Sequence, residues 1–262
     1  MTDWNANEYH RQSALQQAMA DQQLAKLHLG GSERILDIGC GDGKITAAIA
    51  TRVPNGSVLG IDPSQDMIAF ASRQFSNPPR DNLRFEVADA RQFSQQAEFD
   101  LVVSFNALHW VPEQLAALKA IHMALKPAGQ ALLRFVPQGA RKSLEDVIED
   151  TRQSPKWAGN FGGFRTPFVH FTVAEYQALA EQAGLRVQQI EVEDHAWDFQ
   201  TREAFVAFCG ATLVEWTKCL IAQDRPAFIA EVLDRYAEVI SEPASAVHTF
   251  RFYQMQVALR VG

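Results

Sequence analysis

The segment ILDIGCGDG at residues 35–43 constrains the fold more than any other part of the chain. A short apolar run ends in glycines at alternate positions, and an amphipathic pattern begins directly after them. Glycine tolerates positive φ values and lets a ligand approach the backbone. This arrangement is therefore typical of a strand that turns tightly into a helix beneath a nucleotide-like ligand. A purely structural strand–helix turn is the alternative for such a segment taken alone.

The spacing of the glycines bears on which ligand fits. A dinucleotide fingerprint, GxGxxG, would place its third glycine at the position that Lys44 occupies. The pattern here is GxGxG, preceded by Asp37. A nicotinamide cofactor, and with it an oxidoreductase, is therefore disfavoured.

Two acidic residues follow the next two apolar runs. Asp62 closes the run VLGID, 19 positions after Gly43, where a carboxylate can accept hydrogen bonds from ribose hydroxyls. Asp89 follows the run LRFEV, at the sheet edge where open α/β folds bind ligands, and is placed to accept from an adenine amine. The alternative for both is helix capping, before Pro63 in one case and for a helix starting at Ala90 in the other.

Short apolar runs alternate with amphipathic segments in the first half of the chain, which predicts βαβ units. The predicted strands are Arg34–Ile38, Ser57–Ile61, Leu83–Val87, Phe99–Phe105 and Gln130–Phe135, with helices Asp42–Val53, Ser64–Phe75 and Gln114–Leu125. Later predicted elements are helices near Ser143–Thr151 and over Thr172–Ala183 and Thr201–Ile240, and strands Leu185–Val192 and Thr249–Val261. The fold class is therefore α/β, a doubly wound and mostly parallel sheet.

Composition excludes several classes of function. The chain has 262 residues, 47% of them hydrophobic, which suits one large domain with an elaboration. A net charge of -7 and the lack of a Lys/Arg cluster argue against nucleic-acid substrates. Three cysteines without a CxxC pair predict reduced thiols, with neither disulfide nor metal site. The polar N-terminus and the absence of a membrane-length apolar run predict a cytoplasmic protein without a membrane partner.

Five motifs in order resemble those of the class I S-adenosylmethionine-dependent methyltransferase family. They are ILDIGCGDG, GIDPS, VADA, FDLVVSFNALHW and LKPAGQALL, and the resemblance covers residues 33–135. It implies a seven-stranded, Rossmann-like sheet whose last strand is antiparallel. It also implies S-adenosyl-L-methionine as the cofactor, lying across the strand ends.

The resemblance also implies roles for individual residues. Gly39 and Gly41 would approach the methionyl part, Asp62 would take the ribose hydroxyls and Asp89 the adenine amine, and the segment Phe105–Asn106 would lie near the transferred methyl group. The full set of residues assigned to the cofactor is Tyr9, Ser13, Gln16, Asp37, Gly39, Cys40, Gly41, Asp62, Pro63, Asp89, Ala90, Phe105 and Asn106.

A narrower resemblance is to the trans-aconitate and juvenile-hormone-acid group of methyltransferases. The WNANEY arm, SFNALHWVPEQ, FRTPFVHFTVAEY and AVHTFRFYQMQV carry it. In that group the N-terminal arm closes over the cofactor, which makes Tyr9, Ser13 and Gln16 candidates to touch it. Simple packing of the arm is the alternative for Tyr9 and Trp4.

The catalytic candidates are His109 and Trp110, which follow the fourth strand, because the methyl acceptor is expected there. His109 can bind an acidic substrate or act as a base, or it can be a hydrogen-bonded structural histidine. Trp110 is expected to form a pocket wall through its large apolar face.

A later loop adds candidates for the acceptor end. Arg165 and His170 can pair with a carboxylate, against the alternative of a solvated loop arginine. Four aromatic residues either line an apolar pocket or form a small core of a lid, and the sequence leaves both open: Trp157, Phe161, Phe164 and Phe168.

The predicted organisation is an N-terminal arm at 1–31, a cofactor-binding core at 32–135, a lid insertion with the remaining core elements at 136–248, and a C-terminal strand at 249–262. We expect a monomeric methyltransferase that acts on a small molecule, with a carboxylic acid as the favoured acceptor. One alternative is methylation of a carbon, nitrogen or phenol oxygen with His109 as base. Another is a non-catalytic module that binds the cofactor.

Overall fold

A single seven-stranded sheet organises the protein. The structure is a computed structural model that describes residues 27–75, 80–240 and 248–262, together with residues 18, 19, 22, 24 and 25. The strands are β1 Arg34–Ile38, β2 Ser57–Asp62, β3 Leu83–Val87, β4 Phe99–Phe105, β5 Leu125–Phe135, β6 Leu185–Asp198 and β7 Thr249–Val261. Their order is β3-β2-β1-β4-β5-β7-β6. β7 is antiparallel to both neighbours and the other pairs are parallel, which confirms the predicted doubly wound, mostly parallel sheet.

Eight α-helices are seen in the described part of the chain. They are α1 Lys44–Arg52, α2 Gln65–Gln74, α3 Gln114–Ala124, α4 Leu144–Arg152, α5 Val173–Gln182, α6 Arg202–Thr212, α7 Val214–Thr217 and α8 Arg225–Ile240. Short 3₁₀ turns occur at Leu108–Trp110 and Ala158–Phe161. Among these helices, none is both long enough and apolar enough to cross a membrane.

Side-chain caps explain where several helices begin. The Ser64 hydroxyl accepts from the backbone N–H of Met67 at the start of α2. α4 and α5 each begin with a capping box, formed by Ser143 with Asp146 and by Thr172 with its partner three residues on. Each of these residues satisfies N–H groups that the first turn of a helix leaves unpaired.

The structure departs from the sequence prediction in three elements. β5 begins at Leu125 rather than Gln130, and β6 continues to Asp198, beyond the predicted end at Val192. β6 pairs with β7 as far as Asp198 opposite Thr249, so backbone pairing outweighs the low strand propensity of EDHAWD. The helical stretch predicted over Thr201–Ile240 is three helices, and α8 begins at Arg225-Pro226, where proline is tolerated in a first turn.

Separate hydrophobic cores serve the sheet and the later helices. We call the helices α4, α6, α7 and α8, with the loop at residues 153–171, the lid. Its buried core includes Trp157, Phe161 and Trp216, and Phe250 of β7 joins it. Phe164 and Phe168 pack against the same core, so the four aromatics form a lid core, the second of the two alternatives.

The parallel strands β1 to β4 end at one edge of the sheet. β1 lies between β2 and β4, so the chain leaves the two central strands, β1 and β4, toward opposite sides of the sheet. In open α/β sheets, the crevice at such a switch point is where ligands bind. The fold therefore directs the search for a site to the residues that follow these four strands.

Candidate active site

A cavity of about 460 Å³ lies outside the carboxyl ends of β1 to β4, within the range of ordinary small-molecule sites. The sequence-predicted residues that line it are Gly39, Gly41, Asp62, Pro63, Asp89, Ala90, Phe105, Asn106 and Trp110. Other lining residues are Ile38, Ile61, Ser64, Met67, Ala88, Arg91, Ala107, Leu108, Val111, Pro112, Glu113, Pro167 and Glu215.

Three predicted site residues lie beside the cavity without lining it. Asp37, within β1, and Cys40, in the turn after that strand, are both buried, and burial raises the pKa of the Cys40 thiol. His109 is buried as well. The predicted arm residues, Tyr9, Ser13 and Gln16, lie outside the described residues.

The glycine turn after β1 forms one wall of the cavity. Gly39 and Gly41 have φ values of +74° and +52°. A Cβ at Gly39 would lie 2.1 Å from the Cβ of Ala107, so this position has no room for a side chain. A Cβ at Gly41 would meet no atom within 4 Å. Because Gly41 also lines the cavity, its backbone is open to a ligand.

The carboxylate of Asp62 is fixed at the end of β2. It accepts from the backbone N–H of Gly41 at 3.1 Å and of Ser64 at 2.9 Å. A carboxylate has about four acceptor positions, so two remain, which fits a pair of ribose hydroxyls. Burial raises the pKa of Asp62 against the effect of these two hydrogen bonds. The capping alternative is wrong for Asp62, since Ser64 caps α2.

Asp89 is held by an arginine that the sequence analysis did not single out. Arg91 donates to it through its backbone N–H at 2.8 Å, Nε at 2.9 Å and Nη2 at 2.6 Å, and these bonds lower the pKa of Asp89. Arg91 also donates to Glu113 at 2.8 Å. One acceptor position of Asp89 is left, which fits a single amine N–H. No helix begins at Ala90, so the capping alternative is wrong here too.

Asn106 holds a left-handed conformation immediately after β4, with φ of +59°. Its backbone N–H donates to the carbonyl of Arg134 at 2.7 Å, and its side-chain oxygen accepts from Nε2 of Gln254. Non-glycine residues in this conformation often cluster at functional sites. β5 and β7 therefore fix the end of β4 that faces the cavity.

His109 and Trp110 have different surroundings, although they are adjacent in sequence. Trp110 lines the cavity and packs edge-to-face on Trp216, with ring centroids 5.9 Å apart. His109 is 4% exposed and its Nδ1 has no partner in the described structure. Burial, with a smaller contribution from His170, lowers the pKa of His109 to about 3. Burial of His109 disfavours both chemical roles predicted for it, binding of an acidic substrate and action as a base. Either role stays a prediction.

The lid contributes two residues to the cavity that were not predicted from the sequence. Pro167 and Glu215 line it, and Glu215 pairs with Lys218. Arg165 is exposed and His170 half-buried, and neither lines the cavity. No motif marks Glu215, which lies 82 residues after the end of the last of the five motifs. Arg91 was not predicted either, although its position two residues after Asp89 is a signal that could have identified it.

Comparisons with known proteins show which family this chain is similar to. A family model described as a methyltransferase domain matches residues 35–129. A trans-aconitate 2-methyltransferase of Deinococcus radiodurans is 36% identical over 217 residues, which span 82% of this chain and 79% of that relative.

Solved structures give the same fold. The YcgJ protein of Bacillus subtilis is similar with a TM-score of 0.68 at 17% identity, over 94% of this chain and 100% of that one. Phosphoethanolamine N-methyltransferase 2 of Haemonchus contortus, in complex with S-adenosyl-L-methionine, has a TM-score of 0.62 at 18% identity, over 94% of this chain and 53% of that one. At these identities the structural likenesses bear on the fold alone.

The buried carboxyl of Asp37 makes stability depend on pH. It accepts from the Thr46 hydroxyl at 2.7 Å and is 2% exposed. Burial raises its pKa from 3.8 to about 7, with Asp62 adding to the effect. The folded protein therefore keeps a proton that the unfolded chain releases. Asp37 then lowers the free energy of unfolding as pH rises through this window, by about 1.4 kcal/mol per pH unit.

We predict that Asp37→Asn removes this pH-dependent decrease in the free energy of unfolding. Urea denaturation of both proteins should show the stability of the variant gaining on the wild type as pH rises from about 4 to about 7. If the free energies of unfolding of the two proteins changed in parallel across this range, the raised pKa of the buried Asp37 would be contradicted.

Alanine substitutions should separate the roles of two glycines in the turn. Gly41→Ala faces open space, so we expect a stability loss of about 1–2 kcal/mol from the left-handed backbone alone. Its methyl group projects into the cavity, so S-adenosylhomocysteine should bind at least about tenfold more weakly by calorimetry. The matched variant Gly43→Ala places its Cβ 2.7 Å from the Cβ of Ala71, so it should lose more stability than Gly41→Ala. Equal cofactor affinity of Gly41→Ala and wild type would contradict the placement of the ligand.

Proposed function

The chain belongs to the class I S-adenosylmethionine-dependent methyltransferase family, and on that premise we propose that it methylates a carboxylate oxygen of a small, largely apolar organic acid. The observation that carries the proposal is the exclusion of His109 from the cavity, since this leaves the acceptor end without the predicted base. An acceptor that is already ionised needs none.

The cofactor supplies a methyl group on a positively charged sulfur. Gly39 and Gly41 would hold its methionyl part, Asp62 its ribose hydroxyls and Asp89 its adenine amine, through the acceptor positions that these carboxylates keep free. Asn106, fixed by its bonds to β5 and β7, would orient the reacting end. Holding two reactants in line is itself a large part of the acceleration in such a transfer.

The protonation states around the cavity support an ionised acceptor. A carboxylate has a pKa of about 4 and is charged at neutral pH, whereas a phenol or amine, with a pKa of about 10, gains from a general base. Burial lowers the pKa of His109 to about 3, and the residue does not line the cavity. Glu113 is paired with Arg91 and Glu215 with Lys218, so each of these carboxylates already has a cationic partner.

The walls of the acceptor end favour an acid with a single charge. Trp110, Val111 and Pro167 offer apolar surface there. Of the two residues that the lid contributes to the lining, Glu215 carries a carboxylate, which would repel additional negative charges on an acceptor. The name of the Deinococcus radiodurans relative, a trans-aconitate methyltransferase, supports an acid, while these walls support a monocarboxylate over a polyanion.

The lid would exclude water from the reaction. Pro167 and Glu215 cover the cavity from the lid side, and removal of water strengthens electrostatic interactions within a site. We also propose that the protein works as a monomer in the cytoplasm and that its acceptor is a free small molecule. The net charge of -7 favours such an acceptor over nucleic acid.

The test incubates the protein with cofactor labelled on its methyl group and a panel of acceptors. The panel holds aliphatic and aromatic monocarboxylic acids, trans-aconitate, and amines and phenols of matched size. We expect labelled monocarboxylate products that release volatile methanol on treatment with mild base. Gly41→Ala protein is the control for label transferred by contaminants. Label fixed in amines or phenols, or transferred to trans-aconitate alone, would contradict the proposal.

A further inference from the structure

The lid reaches the acceptor end of the cavity through two short segments that are far apart in sequence. Pro167 lines the cavity directly after Thr166, and Glu215 lines it directly before Trp216. Trp216 is fully buried and packs edge-to-face on Trp110, the cavity wall. The shape of the acceptor end therefore depends on what holds these two segments together.

One carboxylate contacts both segments. Oε1 of Glu149, in α4, accepts from Nε1 of Trp216 at 2.7 Å, and Oε2 accepts from the hydroxyl of Thr166 at 2.9 Å. Arg152, one turn along the same helix, donates to Oε2 at 2.6 Å and 2.8 Å. The side chain of Glu149 is only 12% exposed. Each residue that it holds from outside α4 is a chain neighbour of a cavity-lining residue.

The surroundings of Glu149 keep it charged and in place. Burial alone would raise its pKa, but the bonds from Arg152, Trp216 and Thr166 outweigh burial and lower it. The guanidinium of Arg152 lies 4.9 Å from the ring centroid of Phe164, and that ring packs on Trp216 at 6.3 Å. Hydrogen bonds to a charged acceptor are stronger than those between neutral groups.

We propose that Glu149 is a positioning residue for the acceptor site, joining the Thr166–Pro167 and Glu215–Trp216 segments so that Trp110 keeps its place at the cavity. As a statement about the acceptor it rests on the proposed function; as a statement about the wall of the cavity it stands on these contacts. Glu149 itself does not line the cavity, so it acts through its partners.

The lid contains a matched control. Glu231 in α8 accepts from Nε1 of Trp157 at 2.9 Å, from Lys156 at 2.8 Å and from Arg235 at 2.7 Å. It makes the same kind of indole and cation contacts within the same lid core. None of these partners lines the cavity. Glu231→Ala therefore removes a similar set of hydrogen bonds from the lid without changing a contact of the residues that line the cavity.

The first measurement needs no acceptor. The five tryptophans are labelled as 5-fluorotryptophan and the resonances assigned with single Trp→Phe variants. In the complex with S-adenosylhomocysteine, Glu149→Ala should shift the resonances of Trp216 and Trp110 and leave that of Trp157. Glu231→Ala should shift Trp157 and leave Trp110. A Trp110 resonance unmoved in Glu149→Ala would overturn the proposal, whatever the enzyme methylates.

The second measurement uses the monocarboxylate that is turned over best in the labelled-methyl assay. Glu149→Ala should raise the KM for this acceptor by about tenfold or more, while the affinity for S-adenosylhomocysteine stays within about twofold. Glu149→Gln, which can still accept from Trp216, should recover part of the loss. Glu231→Ala should leave both quantities unchanged at a similar loss of thermal stability. Equal effects of Glu149→Ala and Glu231→Ala on KM would reduce Glu149 to a residue that only stabilises the lid.

Discussion

The site depends on a close approach of two backbone segments that only a glycine permits. The turn after β1 lies against the segment after β4 so closely that a side chain on Gly39 would collide with the methyl group of Ala107. The hydroxyl of Ser104 donates to the carbonyl of Ile38 at 2.8 Å and ties the same two strands together. These contacts make the two strand ends opposite walls of one crevice, with Gly41 on one side and Asn106 on the other.

The polar groups of the crevice are satisfied by the protein in a way that leaves defined capacity for a ligand. Asp62 is held by two backbone N–H groups, and Asp89 by three N–H groups of Arg91. Each carboxylate is thereby oriented before any ligand arrives, which reduces the ordering that binding would otherwise require. Asp37 differs, because it is buried near the end of β1, where it accepts from the Thr46 hydroxyl and so joins this strand to α1 rather than facing the crevice.

The sequence predicted the sheet well, because short buried parallel strands carry strong apolar patterns. Arg34–Ile38, Leu83–Val87 and Phe99–Phe105 have the predicted bounds. Elements whose formation depends on partners were predicted less well, such as the end of β6, which exists because β7 pairs with it.

The same distinction holds within the site. Residues next to the glycine and acidic motifs were found from sequence, since local chain geometry puts them at the strand ends. Glu215 and Pro167 reach the cavity only through packing of the lid, which no local pattern reports. His109 was chosen as a chemical candidate from its position after β4, but sequence proximity does not tell which way a side chain points, and it is buried away from the cavity.

We expect the methyl donor to bind in the cavity at the ends of β1 to β4. Hydrogen–deuterium exchange of the protein with and without S-adenosylhomocysteine tests it most directly, because backbone amides report contact along the whole crevice. We expect slower exchange at residues 39–43, 62–67, 89–91 and 105–108, with the Glu231 region of α8 unchanged. Slower exchange confined to other parts of the chain, or no change with ligand bound, would contradict it.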